Sequence, residues 1–379
     1  MNILVDGRAF VKTSAGISTF LQGSLRAWAE LCPNDTFYLA LPKERDKTLQ
    51  NWNAPKNVVW IISNNCFFNK LPNMIWLSLM MPIYCLKYSV DVYYTPVPCI
   101  PFFMRKHTKK LIVVHDVVNL EYNDTMQWAN RIANFLFFKR SIKKADFIWT
   151  NSHYTKERVD YYFPRRKCCD IFVGCSVNRE CYRKQIISND ILNETKKKFA
   201  IKSKFLLFVG SLEPRKNLSF LLSVMPEIWR RTKLQLVVVG AKGWKNSGVF
   251  NVVNEVGYPK ECVIFCGYVS NEELSVLYNI AECFVSPSLN EGFGMPQLEA
   301  FLCGCPVITA DNSAMTEVAK DKKGSCLIKG YDKNDWIDKI TFFVSEHETV
   351  DVNEFNNYDW NVILKSFLES NLFRDEKHN

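Results

Sequence analysis

Short apolar runs alternate with longer amphipathic stretches along the first half of the chain. The strand-like runs are NILVD, FYLAL, VVWII, DVYYT, KLIVVHD, DFIWTNS and DIFVG. Helix-like stretches lie between them at Gly16–Cys32, Asn73–Tyr88 and Met126–Lys144. Strands separated by helices are typical of βαβ units, so we predict a parallel sheet.

The same rhythm begins again after a polar stretch at Val177–Lys204. KFLLFVG, LQLVVVG, CVIFCG, CFVSPS and PVITA alternate with helical patterns at Leu218–Arg231, near Val249–Val256, at Asn271–Ala281 and from Pro296. Ser270 and Glu273 form a capping-box pattern before the third of these helices. We predict two doubly wound α/β domains, at 1–180 and 200–355, with a ligand cleft at the carboxyl ends of their strands. Residues 356–379 form a C-terminal helix and tail.

Composition and charge refine this picture. The 379 residues are 47% hydrophobic and 23% charged, as expected for ordered globular domains. Asp6 and Arg8 interrupt the first residues before an apolar core of signal-peptide length, so we expect a cytoplasmic protein. The fourteen cysteines contain no CxxC and are expected to be reduced and mostly buried. The apolar run Met74–Leu86 is too short to cross a bilayer.

The positive charge is concentrated in the first half. Residues 1–185 carry 26 Lys and Arg against 14 Asp and Glu, a net +12, whereas the remainder carries 22 against 25, a net −3. A basic first domain indicates an anionic substrate or surface.

The segment NEGFGMPQLE combines glycines, a proline and two glutamates. Backbone N–H groups of Phe293, Gly294 and Met295 would precede a helix, a typical phosphate site. Glu291 on the loop and Glu299 in the first helical turn could accept hydrogen bonds from sugar hydroxyls. Alternatively, Glu299 merely complements the helix dipole and Glu291 is solvated.

Cations follow the first strand of the second domain in FVGSLEPRKNL. Arg215 and Lys216 lie on the loop after Gly210, where they suit a diphosphate. Ordinary solvated surface charges are the alternative.

The first domain offers two further candidates. His115 directly follows the strand KLIVV and could donate a hydrogen bond or transfer a proton. Gly16 begins a helix whose N–H groups could hold a phosphate. A structural histidine and a tight turn at Gly16 are the alternatives.

Several motifs are missing from the sequence. The chain contains no Asp-x-Asp, no GxxxxGK[ST] and no GxGxxG. Metal-held diphosphates, P-loop chemistry and a dinucleotide fingerprint therefore lack support, and we predict neither a cofactor nor a metal.

The pairing of GSLEPRKN with GYVSNEELSVLYNIAECFVSPSLNEGFGMPQLEAFLCGCPVI resembles the retaining, nucleotide-sugar-dependent glycosyltransferases of family 4. The resemblance is specific over Phe205–Ala310 and weaker over residues 1–175. It implies the GT-B fold, in which two Rossmann-like domains face a central cleft and the C-terminal helix crosses back to the first domain.

The resemblance also implies site roles. Glu291 would contact the donor sugar, Glu299 the ribose and Lys216 the diphosphate. The family's common arginine has two possible counterparts in this chain. One is the position of Ser211, where the chain departs from the pattern, and the other is Arg215. The other implied residues are His115 at the donor sugar, Gly16 at the diphosphate, the backbone of Gly267, Tyr268 and Val269 at the base, and, at the acceptor, Arg8 and Asp116. The catalytic set would be His115, Glu291 and Lys216.

The function implied is metal-independent transfer of a hexose with retention. GDP-mannose is the favoured donor, with a UDP- or dTDP-sugar next. The acceptor would be a glycan or lipid-linked oligosaccharide of surface polysaccharide such as O-antigen, and no nucleic acid is expected. A nucleotide-sugar epimerase or hydrolase and a non-catalytic polyanion-binding protein are the alternatives.

A basic segment supports peripheral contact with the inner face of the cell membrane. Arg131, Lys139, Arg140, Lys143 and Lys144 cluster around IANFLFF, which could rest on anionic lipid. Alternatively, the apolar face of this segment packs on the sheet.

Overall fold

The computed structural model describes residues 1–11, 15–49, 52–63, 71–117, 137–168, 170–240 and 251–370. The chain divides into two compact units. The first comprises Met1–Val177 together with Tyr358–Asn379, and the second comprises Asn178–Asn357. The polar residues 181–199, which the predicted boundaries leave between the domains, group with the second unit.

A seven-stranded parallel sheet forms the centre of the first unit, in the order β3-β2-β1-β4-β5-β6-β7. Most of its strand residues are buried, which explains why the strands are apolar runs without strict alternation. The order reverses beside β1, as in a doubly wound sheet. The strands are β1 (Asn2–Asp6), β2 (Thr36–Leu41), β3 (Val58–Ile62), β4 (Val92–Thr95), β5 (Lys109–Val114), β6 (Phe147–Thr150) and β7 (Ile171–Val173).

Helices connect these strands. They are α1 (Ala15–Leu31), α2 (Asn73–Lys87) and α3 (His153–Tyr162). α2 contains the apolar run Met74–Leu86 and buries one face against β1, β2 and β4. Of the predicted helix Met126–Lys144, residues 137–144 are helical and residues 126–136 lie outside the described residues.

The second unit has a six-stranded parallel sheet in the order β10-β9-β8-β11-β12-β13. Its strands are β8 (Phe205–Val209), β9 (Gln235–Val239), β10 (Val263–Gly267), β11 (Cys283–Ser286), β12 (Val307–Ala310) and β13 (Ser325–Ile328). Its helices are α4 (Asn189–Lys198), α5 (Leu218–Thr232), α6 (Asn271–Ile280), α7 (Met295–Leu302), α8 (Ser313–Ala319) and α9 (Lys333–Ser345). The Ser270–Glu273 capping box at the start of α6 is confirmed.

The last helix, α10 (Trp360–Glu369), belongs to the first unit, as expected. It packs on α1, where Gly23 leaves room for the Trp360 indole: a Cβ on Gly23 would lie 2.0 Å from Trp360 Nε1. Phe367 stacks on Trp149 of β6 at a centroid distance of 4.9 Å. The chain thus returns to the first unit after completing the second.

The described cysteines are all free thiols, mostly buried. No helix in the described part of the chain is both long and apolar enough to cross a membrane.

Candidate active site

Glycines line the carboxyl ends of three neighbouring strands in the second unit. Gly210 follows β8, Gly240 follows β9 and Gly267 ends β10. A Cβ on Gly240 would lie 1.9 Å from the carbonyl oxygen of Gly210, so only glycine fits there. A Cβ on Gly267 would meet no atom within 4 Å. The backbone at Gly267 is therefore open to the approach of a ligand.

Lys216 and Arg215 lie on a 3-10 turn, Pro214–Lys216, directly after this edge. Lys216 Nζ donates to Glu291 Oε1 at 2.6 Å. Arg215 Nη1 donates to Glu291 Oε2 and to the carbonyl oxygen of Asn290, each at 2.7 Å. The two cations are therefore positioned by one carboxylate rather than solvated, contrary to the alternative considered above.

Glu291 is only 8% exposed, so the alternative of a solvated loop residue is wrong. Burial by itself would raise the pKa of its carboxyl, but Lys216 and Arg215 outweigh burial and lower it to about 2. Ser313, in the left-handed region at φ 52°, accepts the Glu291 N–H on its Oγ at 3.0 Å. Glu291 is thus an ionised, fixed carboxylate at neutral pH.

Glu299 is the fifth residue of α7, so its expected place in the first helical turn is wrong. It is 9% exposed, and Tyr278 of α6 donates its hydroxyl to Glu299 Oε2 at 3.1 Å. Burial raises the pKa of Glu299 to about 7, although Tyr278 and the charge of Lys216 act in the opposite direction. Glu299 therefore titrates near neutral pH.

The loop before α7 turns at Gly294, whose φ of 94° places it in the left-handed region. Phe293 is buried, Met295 is half-buried, and α7 has no side-chain N-cap. Gln297 donates from Nε2 to Thr309 Oγ1 at 2.6 Å, while its buried Oε1 has no hydrogen-bond partner among the described residues. An uncapped helix start carries partial positive charge, which favours an anion.

The remaining predicted residues of this unit differ in exposure. Ser211 is half-buried beside Gly210. Tyr268 is largely exposed and Val269 is buried, so the segment after β10 presents an aromatic ring and backbone to solvent.

His115 lies just after β5 in the first unit, as expected. Its Nε2 lies 2.8 Å from the carbonyl oxygen of Pro96, and its Nδ1 lies 2.9 Å from Asn151 Nδ2. These partners assign the proton to Nε2, because a carbonyl only accepts and an amide NH₂ only donates. Burial lowers the pKa of His115, while Asp116 opposes that shift. His115 is therefore a neutral imidazole with both nitrogens engaged.

The other candidates in the first unit are Arg8, Asp116 and Gly16. Arg8 forms a two-pronged pair with Asp6, from Nε to Oδ1 at 2.9 Å and from Nη2 to Oδ2 at 2.7 Å. Asp116 is half-buried next to His115, and Gly16 lies in the first turn of α1. The guanidinium of Arg8 is thus held by a buried carboxylate.

The basic segment expected at a membrane is only partly described, and Arg131 lies outside the described residues. Arg140 donates to the carbonyl oxygens of Ile100 and Phe102 at 2.9 and 3.1 Å. Its guanidinium therefore fixes a loop of the protein.

Four functional-site neighbours were not predicted from the sequence. The Asn290 carbonyl accepts a hydrogen bond from Arg215, Ser313 and Tyr278 bond to Glu291 and Glu299, and Asn151 orients His115. Only tertiary proximity connects them to their partners. Within the described residues, no group of three His, Cys, Asp or Glu side chains could hold a metal ion.

Two Rossmann-like units, one of which carries paired cations on a buried carboxylate at its strand ends, define a GT-B type protein. HepE of Anabaena, solved in complex with UDP-glucose, has a TM-score of 0.72 at 14% identity, covering 97% of this chain and 98% of that one. At this identity the likeness concerns the fold.

Comparisons of sequence relate part of the chain to a known family. Residues 192–358 match the model of the glycosyl transferases group 1. The O-antigen chain mannosyltransferase B of Escherichia coli is 37% identical over 119 residues, which are 31% of each chain. The O-antigen chain mannosyltransferase RfbU of Salmonella typhimurium is 28% identical over 251 residues, 65% of this chain and 64% of that relative. The chain thus spans about a third of the first relative and under two thirds of the second. The match to the glycosyl transferases group 1 thus covers somewhat less than half of the chain and lies almost wholly in the second unit.

Proposed function

We propose that the protein is a retaining glycosyltransferase that moves a hexose from a nucleotide-diphosphate sugar to a glycan or lipid-linked acceptor. The observation that carries this proposal is the convergence of Lys216 and Arg215 on Glu291 at the carboxyl end of β8. Two cations with a single carboxylate leave one positive charge at the site, beside the uncapped start of α7. A diphosphate fits this combination of fixed cations and helix N–H groups.

In the proposed reaction, Lys216 and Arg215 bind the leaving diphosphate. The C1–O bond to the diphosphate breaks, the acceptor hydroxyl oxygen bonds to C1, and its proton passes to the leaving diphosphate. Lys216 and Arg215 stabilise the charge that develops on the diphosphate, which is more negative in the transition state than in the donor. Glu291, ionised and held in place, accepts hydrogen bonds from the sugar. The role of His115 at the donor sugar stays a prediction.

The two glutamates suit different tasks because their pKa values are shifted in opposite directions. Glu299 accepts hydrogen bonds from the ribose hydroxyls, and it accepts them best as a carboxylate. Epimerase and hydrolase activities on the same fold would instead require a base and a trapped water.

The donor is proposed to be GDP-mannose, with a UDP- or dTDP-sugar next. The two O-antigen mannosyltransferases support mannose, and the UDP-glucose complex of HepE supports a uridine nucleotide on a similar fold. The proposed transfer needs no metal, since the two cations already face the leaving group.

The acceptor is proposed to belong to surface polysaccharide, such as O-antigen, and the protein to act at the cytoplasmic face of the cell membrane. The net +12 of residues 1–185 supports contact with anionic lipid. No role with nucleic acid is proposed, because binding a polyanion would not require the carboxylates Glu291 and Glu299 at the site.

A panel of nucleotide sugars, screened by thermal shift and by slow donor hydrolysis, tests the function. A donor at about 100 times its Kd should stabilise the folded chain by about 2.7 kcal/mol. We expect GDP-mannose to give the largest shift, and transfer to require an acceptor. Release or epimerisation of the sugar at full rate without any acceptor would contradict the transferase proposal.

The pKa of Glu299 predicts a pH dependence. Since that pKa is raised from 4.5 to about 7, the folded chain holds a proton that the unfolded chain has lost, and stability decreases as pH rises through this window. We therefore expect the melting temperature of the unliganded wild type, relative to Glu299→Gln, to fall between about pH 4.5 and about pH 7. Bound GDP or UDP should stabilise the wild type more as pH rises past about 7, because the ribose selects the carboxylate. An identical pH profile in the variant would refute the assignment of Glu299.

A further inference from the structure

One face of α2 exposes a continuous stripe of aliphatic side chains. Ile75, Leu79, Ile83 and Leu86 are 47, 47, 50 and 60% exposed. Their spacing of four, four and three residues places them on one side of the helix. The other side is buried in the first unit, through Trp76, Leu77, Met80 and Met81. α2 is therefore apolar on both sides, although a surface helix normally turns a polar face to water.

The segment 99–108 runs beside α2 and exposes a further aromatic ring. Cys99 Sγ lies 3.7 Å from Met74 Sδ near the start of α2. Met104 packs against the buried cluster that includes the inner face of α2. Arg105 lies close enough to Cys85 to oppose the burial that raises the pKa of that thiol. Phe103, on this segment, is 82% exposed.

The aromatic residues of this segment are held in place. Arg140 bonds to the backbone carbonyls of Ile100 and Phe102, and its guanidinium carbon lies 4.6 Å from the centroid of the Phe102 ring. Phe137 packs edge-on against Phe102 at 4.8 Å. The loop thus presents Phe103 to solvent from a fixed backbone. We call Ile75, Leu79, Ile83, Leu86, Phe102 and Phe103 the α2 surface.

Positive charge accompanies the α2 surface. From Lys47 to His115 the chain has eight Lys and Arg but a single acidic residue, Asp91. Asp91 accepts the backbone N–H of Asn2 at 2.7 Å. Lys87 at the end of α2, and Arg105 and Lys106 after Phe103, are exposed. Exposed aliphatic and aromatic side chains next to cations fit the boundary between lipid phosphates and acyl chains.

We propose that the α2 surface docks the protein on an anionic lipid membrane. The stripe is a ridge of aliphatic side chains, which acyl chains accept without hydrogen bonds, and the neighbouring cations meet the lipid phosphates. This inference gives a location to the membrane contact proposed above. Its biological purpose rests on the proposed function. It places that contact on α2 and residues 102–106.

Flotation of the full-length chain with vesicles tests the proposal. The vesicles contain equal parts of phosphatidylcholine and phosphatidylglycerol, with phosphatidylcholine alone as the neutral comparison. We expect binding to the mixed vesicles only. The double variant Leu79→Ser/Ile83→Ser should lower the partition coefficient at least about tenfold, since it removes several methylene groups from the lipid. Arg105→Glu/Lys106→Glu should lower it at least about 25-fold, because each cation near an anionic leaflet strengthens binding about fivefold.

Matched control variants lie in the second unit. Val256→Ser/Phe342→Ser removes two exposed apolar side chains, and Lys320→Glu/Lys329→Glu reverses two exposed charges. Both should float like the wild type. Equal flotation of Leu79→Ser/Ile83→Ser and the wild type would overturn the proposal. So would a wild-type dimer in light scattering that this variant converts to monomer, because a second copy would then cover the stripe. GDP and UDP thermal shifts should be unchanged in all four variants, which separates this test from that of the transferase function.

Discussion

Lys216→Ala is expected to remove about half or more of the thermal stabilisation that a nucleotide-sugar donor gives the wild type. A charge-assisted bond to phosphate contributes about 1.5–3 kcal/mol, so its loss should weaken the donor roughly 10- to 150-fold. A donor at about 100 times its wild-type Kd would then stabilise the variant by only about 0.3–1.4 kcal/mol, compared with about 2.7. Turnover should fall further if Lys216 also stabilises the leaving diphosphate, as we propose. Differential scanning fluorimetry and donor hydrolysis measure the two effects.

The substitution also removes one of the two partners of Glu291, so each variant is compared with its own unliganded melting temperature. Lys204→Ala is the matched control, since Lys204 precedes β8 at its opposite end and forms an exposed pair with Glu282 at 2.9 Å. This control should keep the full donor shift, as exposed pairs contribute little. A full shift in Lys216→Ala would show that the diphosphate binds elsewhere.

The parallel sheets could be predicted from sequence because their strands are buried and therefore apolar throughout. NILVD and FLLFV needed no tertiary information to be recognised as strands, and they form β1 and β8. The same holds for Ser270 and Glu273, whose capping contacts are local. Because a capping box joins residues only a few positions apart, both partners can be recognised from the sequence alone.

For the site, the sequence predicts which residue types lie at the strand ends but not which of them contact each other. That Arg215 and Lys216 both bond to Glu291 depends on how β8 and β11 pair, some 75 positions apart along the chain. The left-handed backbone of Ser313 has no sequence signature, since serine carries a Cβ that disfavours it. His115 was recognisable as a candidate, but its engagement with Pro96 and Asn151 brings together three separate strand ends.

The pairing of Glu291 with both cations has a consequence for ligand binding. In the unliganded site one carboxylate neutralises part of the charge that a diphosphate would otherwise meet. An incoming diphosphate has to compete with Glu291 for Lys216 and Arg215 or share them with it. The carboxylate that we propose to contact the sugar should therefore also moderate nucleotide affinity.

Glu291→Gln should accordingly separate binding from turnover. The amide keeps the shape of the side chain but removes its charge, so GDP or UDP should bind at least as tightly as to the wild type. Turnover should fall roughly 100- to 1000-fold. This is the usual effect of removing one group that stabilises the developing charge or orients the reacting sugar. Isothermal titration with the nucleotide and single-turnover transfer assays measure the two quantities.

Glu282→Gln is the matched control, because Glu282 also pairs with a lysine of the same unit but lies at the opposite end of the sheet. It should change neither quantity. Unchanged turnover in Glu291→Gln would refute the proposed contact with the sugar. Markedly weaker nucleotide binding would instead mean that Glu291 acts by positioning Lys216 and Arg215, since without its charge the two cations would then lose the geometry that the diphosphate requires.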